Sequence, residues 1–161
     1  VQNTGAITTR LGTTALAAGE HVTLQLQLQG GSLLGYRIER GALQAAVDQD
    51  GTITADGGAI LIEARALNEL ASAVVNHTGV SQARTVQARE GRIILLADKD
   101  VGRTQVDGTL DASAPDGGNG GFIETSAAVV KVADDALVTT RSSGGDGIWN
   151  LKTFPCCPRM C

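Results

Sequence analysis

Short sequence units recur along the chain with a period of about 30 residues, a length typical of repeat architectures. One unit begins at Gly51, Gly79 and Gly108 and reads Gly-Thr-Ile-Thr-Ala, Gly-Val-Ser-Gln-Ala and Gly-Thr-Leu-Asp-Ala. The steps between its copies are 28 and 29 (79 − 51 and 108 − 79). A fixed period of this kind indicates that each copy forms one structural unit and stacks on the next.

A second unit supports the same period. It begins at Gly58 and Gly91, with a weaker copy at Gly121, and its steps are 33 and 30 (91 − 58 and 121 − 91). Each copy starts at glycine and continues through β-prone residues, and Asp or Asn lies close before several glycines, as in a turn. Short strands between such turns predict an all-β fold: a single-stranded parallel β-helix of about five coils, whose strands bond to their counterparts ~4.8 Å away.

The composition agrees with a repetitive β fold. Gly supplies 21 of the 161 residues and aromatic residues only 2%, so a core built on aromatic side chains is not expected. The net charge is −4, whereas a nucleic-acid-binding protein normally carries a basic face. We therefore expect no nucleic-acid partner.

The repeats also predict which side chains point inward and form ladders. Ile53 and Leu110 should share one ladder with Val80, although Val80 is one position out of phase with the other two. A second ladder draws on the other unit, from Ile60, Ile62, Ile93 or Leu95, and Phe122 or Ile123. A late strand contains Val129, Val130 and Val132 with Lys131 facing outward.

Two segments interrupt the strand pattern. Residues 41–48 and 64–75 carry apolar residues at helical spacing, which predicts short helical excursions on the solenoid. The alternative interpretation is that Ala-rich strands merely resemble helices in their spacing.

The end of the sequence differs in composition from the rest. Residues 149–161 hold all three cysteines and the single Met and Trp. We therefore divide the chain into a β-helix domain, 1–148, and an atypical Cys- and Pro-containing tail, 149–161. The tail is expected to add nothing to the fold, since Pro155 and Pro158 lack backbone donors. The competing hypothesis is that its apolar residues cover the open end of the last coil.

No motif in the sequence predicts catalysis, a cofactor or a metal ion. His21 and His77 have no partner at metal-ligand spacing. The Gly-rich loop 116–121 lacks the ending of a phosphate loop and the acids of a calcium loop. The remaining candidates are better explained as solvent-facing turns and a terminal segment: the acidic pairs Asp48/Asp50, Asp98/Asp100 and Asp134/Asp135, and the thiols of Cys156, Cys157 and Cys161.

Five stretches of the chain carry a family resemblance. They are residues 41–48, 50–58, 74–79, 108–115 and 117–126, and the last, Gly-Gly-Asn-Gly-Gly-Phe-Ile-Glu-Thr-Ser, is the most specific. They resemble the filamentous haemagglutinin-type adhesins, the large exoproteins of bacterial two-partner secretion. The likeness covers roughly residues 1–148.

Two departures from the family pattern concern secretion and the tail. The family's amino-terminal secretion region usually carries Asn-Pro-Asn-type motifs, and this chain has none. It is therefore expected to lie downstream of that region or to be truncated within it. Relatives tend to continue Gly-x-Trp-Leu-Ile-Asp-Pro, whereas this chain keeps Trp149 and then diverges.

The resemblance implies a right-handed parallel β-helix, exported through an outer-membrane two-partner secretion transporter to the outside or the bacterial cell surface. We expect a structural and adhesive segment without catalytic activity, which attaches to a cell-surface receptor or glycan. One alternative is a carbohydrate-active β-helix, recognisable by carboxylates beside an aromatic ring in one solvent groove. Another is a fibre subunit that associates end to end through exposed strand edges.

Overall fold

The computed structural model describes residues 1–26 and 33–154 of the chain. These residues form strands and turns. Within these two ranges there is no helix, and hence none that could cross a membrane.

Three five-stranded parallel sheets make up the body of the molecule. Sheet A contains β1 (Gln2–Asn3), β6 (Gln44–Gln49), β9 (Ser72–His77), β12 (Gly102–Val106) and β15 (Val129–Val132). Sheet B contains β2 (Ala6–Thr8), β7 (Thr52–Thr54), β10 (Val80–Gln82), β13 (Thr109–Asp111) and β16 (Leu137–Thr139). Sheet C contains β3 (Thr13–Ala18), β8 (Ala59–Ala64), β11 (Arg92–Ala97), β14 (Phe122–Ala127) and β17 (Ile148–Thr153).

The chain passes through sheets A, B and C in that order and then returns to sheet A one coil further on. Four full turns lead from β1 to β15, and β16 and β17 follow in the last coil. The prediction of a parallel β-helix of about five coils is therefore confirmed. Its right-handed sense stays a prediction.

An antiparallel hairpin interrupts the solenoid between β3 and β6. It consists of β4 (His21–Leu26) and β5 (Leu33–Arg40). Because of this insertion, neighbouring coils are 46 residues apart at Asn3 and Gln49 but 28 residues apart at Asp48 and Asn76. The hairpin packs against the solenoid through buried Ile38, whose carbonyl accepts a hydrogen bond of 3.2 Å from Arg65.

The inward positions of sheet C form the predicted apolar ladders. One in-register column contains Ile60, Ile93 and Ile123, and the next contains Ile62 and Leu95. These side chains are at most 1% exposed. Ile93 and Leu95 thus both point inward, and Ile123 rather than Phe122 takes the ladder position.

The expected place of Val80 in the first ladder is wrong. Val80 pairs with Thr52, and Ser81 pairs with Ile53 and Leu110. Ser81 is therefore the inward residue, fully buried, while Val80 is 36% exposed. The hydroxyl is accommodated because it lies 2.8 Å from the imidazole of His77.

Both predicted helical excursions are also wrong. Residues 41–48 lead into β6, in which Ala45 and Val47 point inward while Ala46 is exposed. Residues 64–75 contain the end of β8, a turn and the start of β9. Alanines spaced for a helix face also satisfy strand alternation, and their small side chains fit the narrow interior.

Strand β17 carries the solenoid beyond the expected boundary at residue 148. Trp149 pairs with Ile123 and Leu151 pairs with Thr125, in register with the inward columns of sheet C. The indole Nε1 of Trp149 donates to Oγ1 of Thr125 at 3.2 Å. The expectation that the tail adds nothing to the fold is therefore wrong for residues 149–153, whereas Cys156, Cys157 and Cys161 lie outside the described residues.

The recurring glycines mark places where successive coils approach too closely for a side chain. A Cβ atom on Gly79 would collide with the carbonyl oxygen of Gly51, and one on Gly108 would collide with the carbonyl of Gly79. The amide of Val80 donates to that Gly51 carbonyl at 2.9 Å, so the close approach belongs to the coil-to-coil bonding itself. The glycines of the first repeat unit are therefore required by a backbone contact between successive coils.

Candidate functional site

A groove of about 680 Å³ lies along the edge where sheet C turns into sheet A. One wall is the end of the hairpin, residues 39–41. The other walls are the turns 65–69 and 98–101, and Phe154 lies at the end of the groove beside the last coil. The inserted hairpin and turns from successive coils therefore create this concave surface together.

The floor of the groove follows from the register of sheet C. Glu63, Leu96, Ser126 and Lys152 are paired in successive strands, so they form one column along the solenoid axis. This column is out of phase with the buried column of Ile62 and therefore faces outward. Strand alternation thus places two charged groups and an apolar side chain on the same floor.

Carboxylates outnumber cations in the groove. Six acidic residues line it, namely Glu39, Glu63, Glu69, Asp98, Asp100 and Glu124. Four basic residues line it, namely Arg40, Arg65, Lys99 and Lys152. The surface therefore has an excess of negative charge.

Two of the groove's lysines are engaged by neighbouring acids. Lys152 Nζ lies 3.0 Å from Glu124 Oε1, and Lys99 Nζ lies 2.7 Å from Asp100 Oδ2. Among the described residues, no ion pair is formed by Glu39, Glu63 or Glu69. Arg65 forms no ion pair within the described ranges either, and Arg40 pairs with Glu20 outside the groove, so the groove as a whole keeps two more carboxylates than cations.

Tyr36 of the hairpin connects to the groove through Glu63. Burial raises the pKa of the Tyr36 hydroxyl, and the nearby Glu63 carboxylate raises it further. The phenol therefore stays protonated at neutral pH, and its closeness to Glu63 places the stem of the hairpin beside the groove.

The acidic pairs named from the sequence have separate structural roles. The side chain of Asp98 closes its own turn, because Oδ1 accepts the amide of Asp100 at 2.9 Å. Asp48 accepts a hydrogen bond from Asn76 at 2.8 Å. Hydrogen bonds from Thr78 and Gln2 lower the pKa of the Asp50 carboxyl.

The other acidic positions lie apart from the groove. Asp134 and Asp135 are exposed in the turn before β16, and Asp116 is exposed in the 116–121 loop on the corner between sheets B and C. No cluster of three or more His, Cys, Asp or Glu side chains in the described ranges is arranged to hold a metal ion.

The two histidines occupy unlike environments. His21 is exposed on β4, whereas His77 is fully buried at the end of β9. Nε2 of His77 lies 2.8 Å from Ser81 Oγ, and Nδ1 has no hydrogen-bond partner. Burial lowers the pKa of His77 to about 4, so the imidazole is neutral at pH 7.

An ion pair that sequence analysis missed lies on the corner between sheets B and C. Arg84 Nη2 lies 2.8 Å from Asp56 Oδ2, and the Arg84 amide donates to Asp56 Oδ1 at 3.0 Å. Partial burial alone would raise the pKa of Asp56, but the hydrogen bonds from Arg84 and Gln82 outweigh it and hold the pKa low. The pair joins two adjacent coils, which the 28-residue spacing of the two residues indicates.

The groove itself was not predicted, since it depends on the inserted hairpin. One sequence signal for that hairpin exists: Val22, Leu24 and Leu26 alternate with polar residues and are followed by Gly30-Gly31. Alternation before a Gly-Gly pair is typical of a β-hairpin.

Comparison of the chain with models of protein families, with curated proteins and with solved structures gives no match.

Proposed function

We propose that this chain is a non-catalytic structural and adhesive segment of a secreted bacterial surface exoprotein, in which the solenoid holds the groove as a contact surface. The observation that carries the proposal is the hairpin inserted beside the groove. In repeat proteins, insertions project from one face of the stack, and that face is often the one that binds.

The solenoid is a suitable scaffold for an adhesive surface. Strands of adjacent coils pair in register in all three sheets, so the coils hold one another along the axis. A frame of this kind keeps the groove in a fixed place while the partner pulls on it. The resemblance to filamentous haemagglutinin-type adhesins supports the same role, and it supports export through an outer-membrane two-partner secretion transporter.

The partner is a receptor or glycan on a neighbouring or host cell. The surplus of carboxylates favours ligands with amino or hydroxyl groups over polyanions, because an approaching anion meets Glu39, Glu63 and Glu69.

Binding of the full chain to cultured cells and to immobilised neutral, amino and acidic glycans tests the proposal. We expect retention on at least one surface, and weaker retention for the double variant Glu39→Lys and Glu69→Lys. The double variant Asp134→Lys and Asp135→Lys makes the same charge change outside the groove and serves as the control. A chain that binds none of these surfaces is not an adhesin.

A carbohydrate-active β-helix is the second candidate. The groove places Glu63 and Glu124 on one outward face with Phe154 nearby, and sugar faces stack on aromatic rings. Glu124 pairs with Ile94, which pairs with Leu61, so the two glutamates are two strands apart, roughly 10 Å along the axis. Inverting glycosidases hold their carboxyl groups about 6.5–9.5 Å apart, which extended side chains can reach.

Release of reducing ends from polysaccharides distinguishes the two candidates. A carbohydrate-active enzyme shows turnover that Glu63→Gln and Glu124→Gln each abolish, while Glu90→Gln, on an exposed turn elsewhere, retains it. Binding without turnover supports the adhesive function.

A further inference from the structure

The two ends of the solenoid differ in how well their inward side chains are covered. In the first coil, Asn3, Thr14 and Ala18 point inward and are each at most 8% exposed, and two of the three are polar. In the last coil, Trp149 is 40% exposed and Leu151 is 46% exposed, although both continue inward columns of sheet C. The inward residues Ile7 and Leu16 of the first coil are half-buried, so among the described residues the last coil is the less covered end of the core.

Other apolar side chains enlarge this uncovered surface, which we call the end face. Half of the large exposed hydrophobic residues of the described chain lie between residues 129 and 154, namely Val129, Val132, Leu137, Ile148, Trp149, Leu151 and Phe154. Val132 pairs with Val106 and so continues another inward column. Val132, Trp149 and Leu151 thus expose the end of the core, and Val129, Leu137 and Ile148 lie on the outward side of the same strands.

The end face also carries unpaired backbone. Strands β15, β16 and β17 are the outermost members of sheets A, B and C, and within the described residues no strand pairs with their outer edges. An edge of this kind offers amide and carbonyl groups to another strand, and neither Pro nor a bulge interrupts these three strands.

We propose that two copies of this chain pair through their end faces and form a closed dimer. A twofold axis lets each copy cover the uncovered core of the other with the same surface. Head-to-tail stacking would instead set the end face against a first coil whose inward positions are better covered, and it would leave another end face open.

Charge on sheet C favours the antiparallel arrangement that a twofold axis requires. Asp146 precedes β17 and Lys152 lies near its end, and both are exposed. Lys152 is paired with Glu124 of its own chain, and antiparallel pairing of β17 with its own copy keeps the two Lys152 side chains apart, whereas parallel pairing sets them side by side.

The size of the end face fits a weak, reversible dimer. A coil of about 28 residues at ~3.3 Å per residue encloses a cross-section of about 400 Å² if it is roughly triangular. With side-chain relief, two end faces bury on the order of 1,000 Å² in total, near the lower limit for a specific interface. The association should therefore depend on concentration in the micromolar range.

Light scattering with size exclusion tests the proposal on the full chain, under reducing conditions so that the cysteines cannot link copies. We expect the mass to rise with concentration from 16.5 kDa toward twice that value and no further. The single tryptophan, Trp149, supplies a second readout, because its emission should shift to the blue as the dimer forms.

Variants locate the contact. Val132→Lys places an inward charge on the edge and should weaken association by about tenfold or more, with unchanged circular dichroism. Leu70→Lys, at a residue 96% exposed in the turn between β8 and β9, should leave association unchanged. A monomer at all concentrations, open-ended growth into fibres, or a dimer unaffected by Val132→Lys each overturns the proposal.

Discussion

The imidazole Nε2 of His77 lies 2.8 Å from Oγ of Ser81, and both side chains are fully buried between sheets A and B. His77 stands in register with Gln49 of the preceding coil and Val106 of the next. Gln49 in turn accepts a hydrogen bond of 2.7 Å from Asn3. Polar side chains therefore occupy this corner of the core in the first three coils, and one of them can take up a proton.

Stability should fall on acidification because of His77. Its pKa is about 4 in the folded chain and 6.5 without burial, so only the unfolded chain takes up this proton between those values. The free energy of unfolding is unaffected above pH 6.5 and should lose about 3 kcal/mol as the pH falls to 4.

Urea unfolding across this pH range measures the effect. His77→Gln should remove most of this pH dependence, since glutamine already occupies the neighbouring coil at Gln49, and His21→Gln on the exposed strand should retain it. An unchanged pH dependence in His77→Gln would show that other groups control acid stability.

Removal of the Ser81 hydroxyl should destabilise the fold more than its size suggests. Ser81→Ala leaves His77 with both ring nitrogens unpaired in the core, which costs about 1–3 kcal/mol. Val80→Ala, at the exposed neighbour, should change stability by less than about 1 kcal/mol. Equal effects in denaturant melts would place Val80 inward and contradict the observed register.

Truncation of an inward ladder residue should be costly. Ile53 is fully buried in register with Ser81 and Ile7, so Ile53→Ala should lower the free energy of unfolding by about 2–5 kcal/mol. Thr52→Ala, one residue earlier and exposed, should cost within about half a kcal/mol. The difference between the denaturation midpoints of the two variants tests whether Ile53 points inward and Thr52 outward.

A methyl group on the glycine column should separate two coils. Gly79→Ala sets a Cβ against the Gly51 carbonyl, which cannot move without breaking its bond to Val80, and we expect a loss of about 2 kcal/mol or more. Gly5 heads the same column with only a distant side-chain atom near its Cβ position, so Gly5→Ala should be close to neutral. Thermal melts of the two variants give the comparison.

Trp149 should contribute to stability even in the monomer. Trp149→Ala removes the ring that lies at the end of the Ile93 and Ile123 column, together with the bond to Thr125, and should lower the melting temperature by several degrees. Leu70→Ala is the control at an exposed turn. An unaltered melting temperature would restore the view that residues after 148 are inert.

The sequence allowed the architecture to be predicted because the repeats follow from a backbone constraint. Close approach of Gly51, Gly79 and Gly108 imposes glycine at each coil, so the period is visible without any alignment. The inward phase was right wherever an aliphatic residue and the strand alternation agreed, as at Ile53. It failed at Val80, because the ladder accepts a serine whose partner, His77, lies four residues away.

The repeat pattern did not predict the candidate groove. Its walls come from turns one coil apart and from a hairpin that has no counterpart in the other coils. The repeat describes what each coil shares, whereas Glu39, Glu69 and Phe154 belong to parts that differ between coils. The repeat pattern also did not predict that the core continues through Trp149, because the composition of residues 149–161 departs from that of the preceding repeats.

The hairpin lengthens the separation of paired residues in adjacent coils from 28 to 46, yet Thr13 to Ala18 still pair with Ala59 to Ala64 without a shift of register. Both ends of the insertion return to the same corner, so the pairing of β3 with β8 does not depend on the length of the inserted segment. That corner can therefore accept inserted segments of other lengths, and selection can alter the displayed surface without changing the contacts between coils.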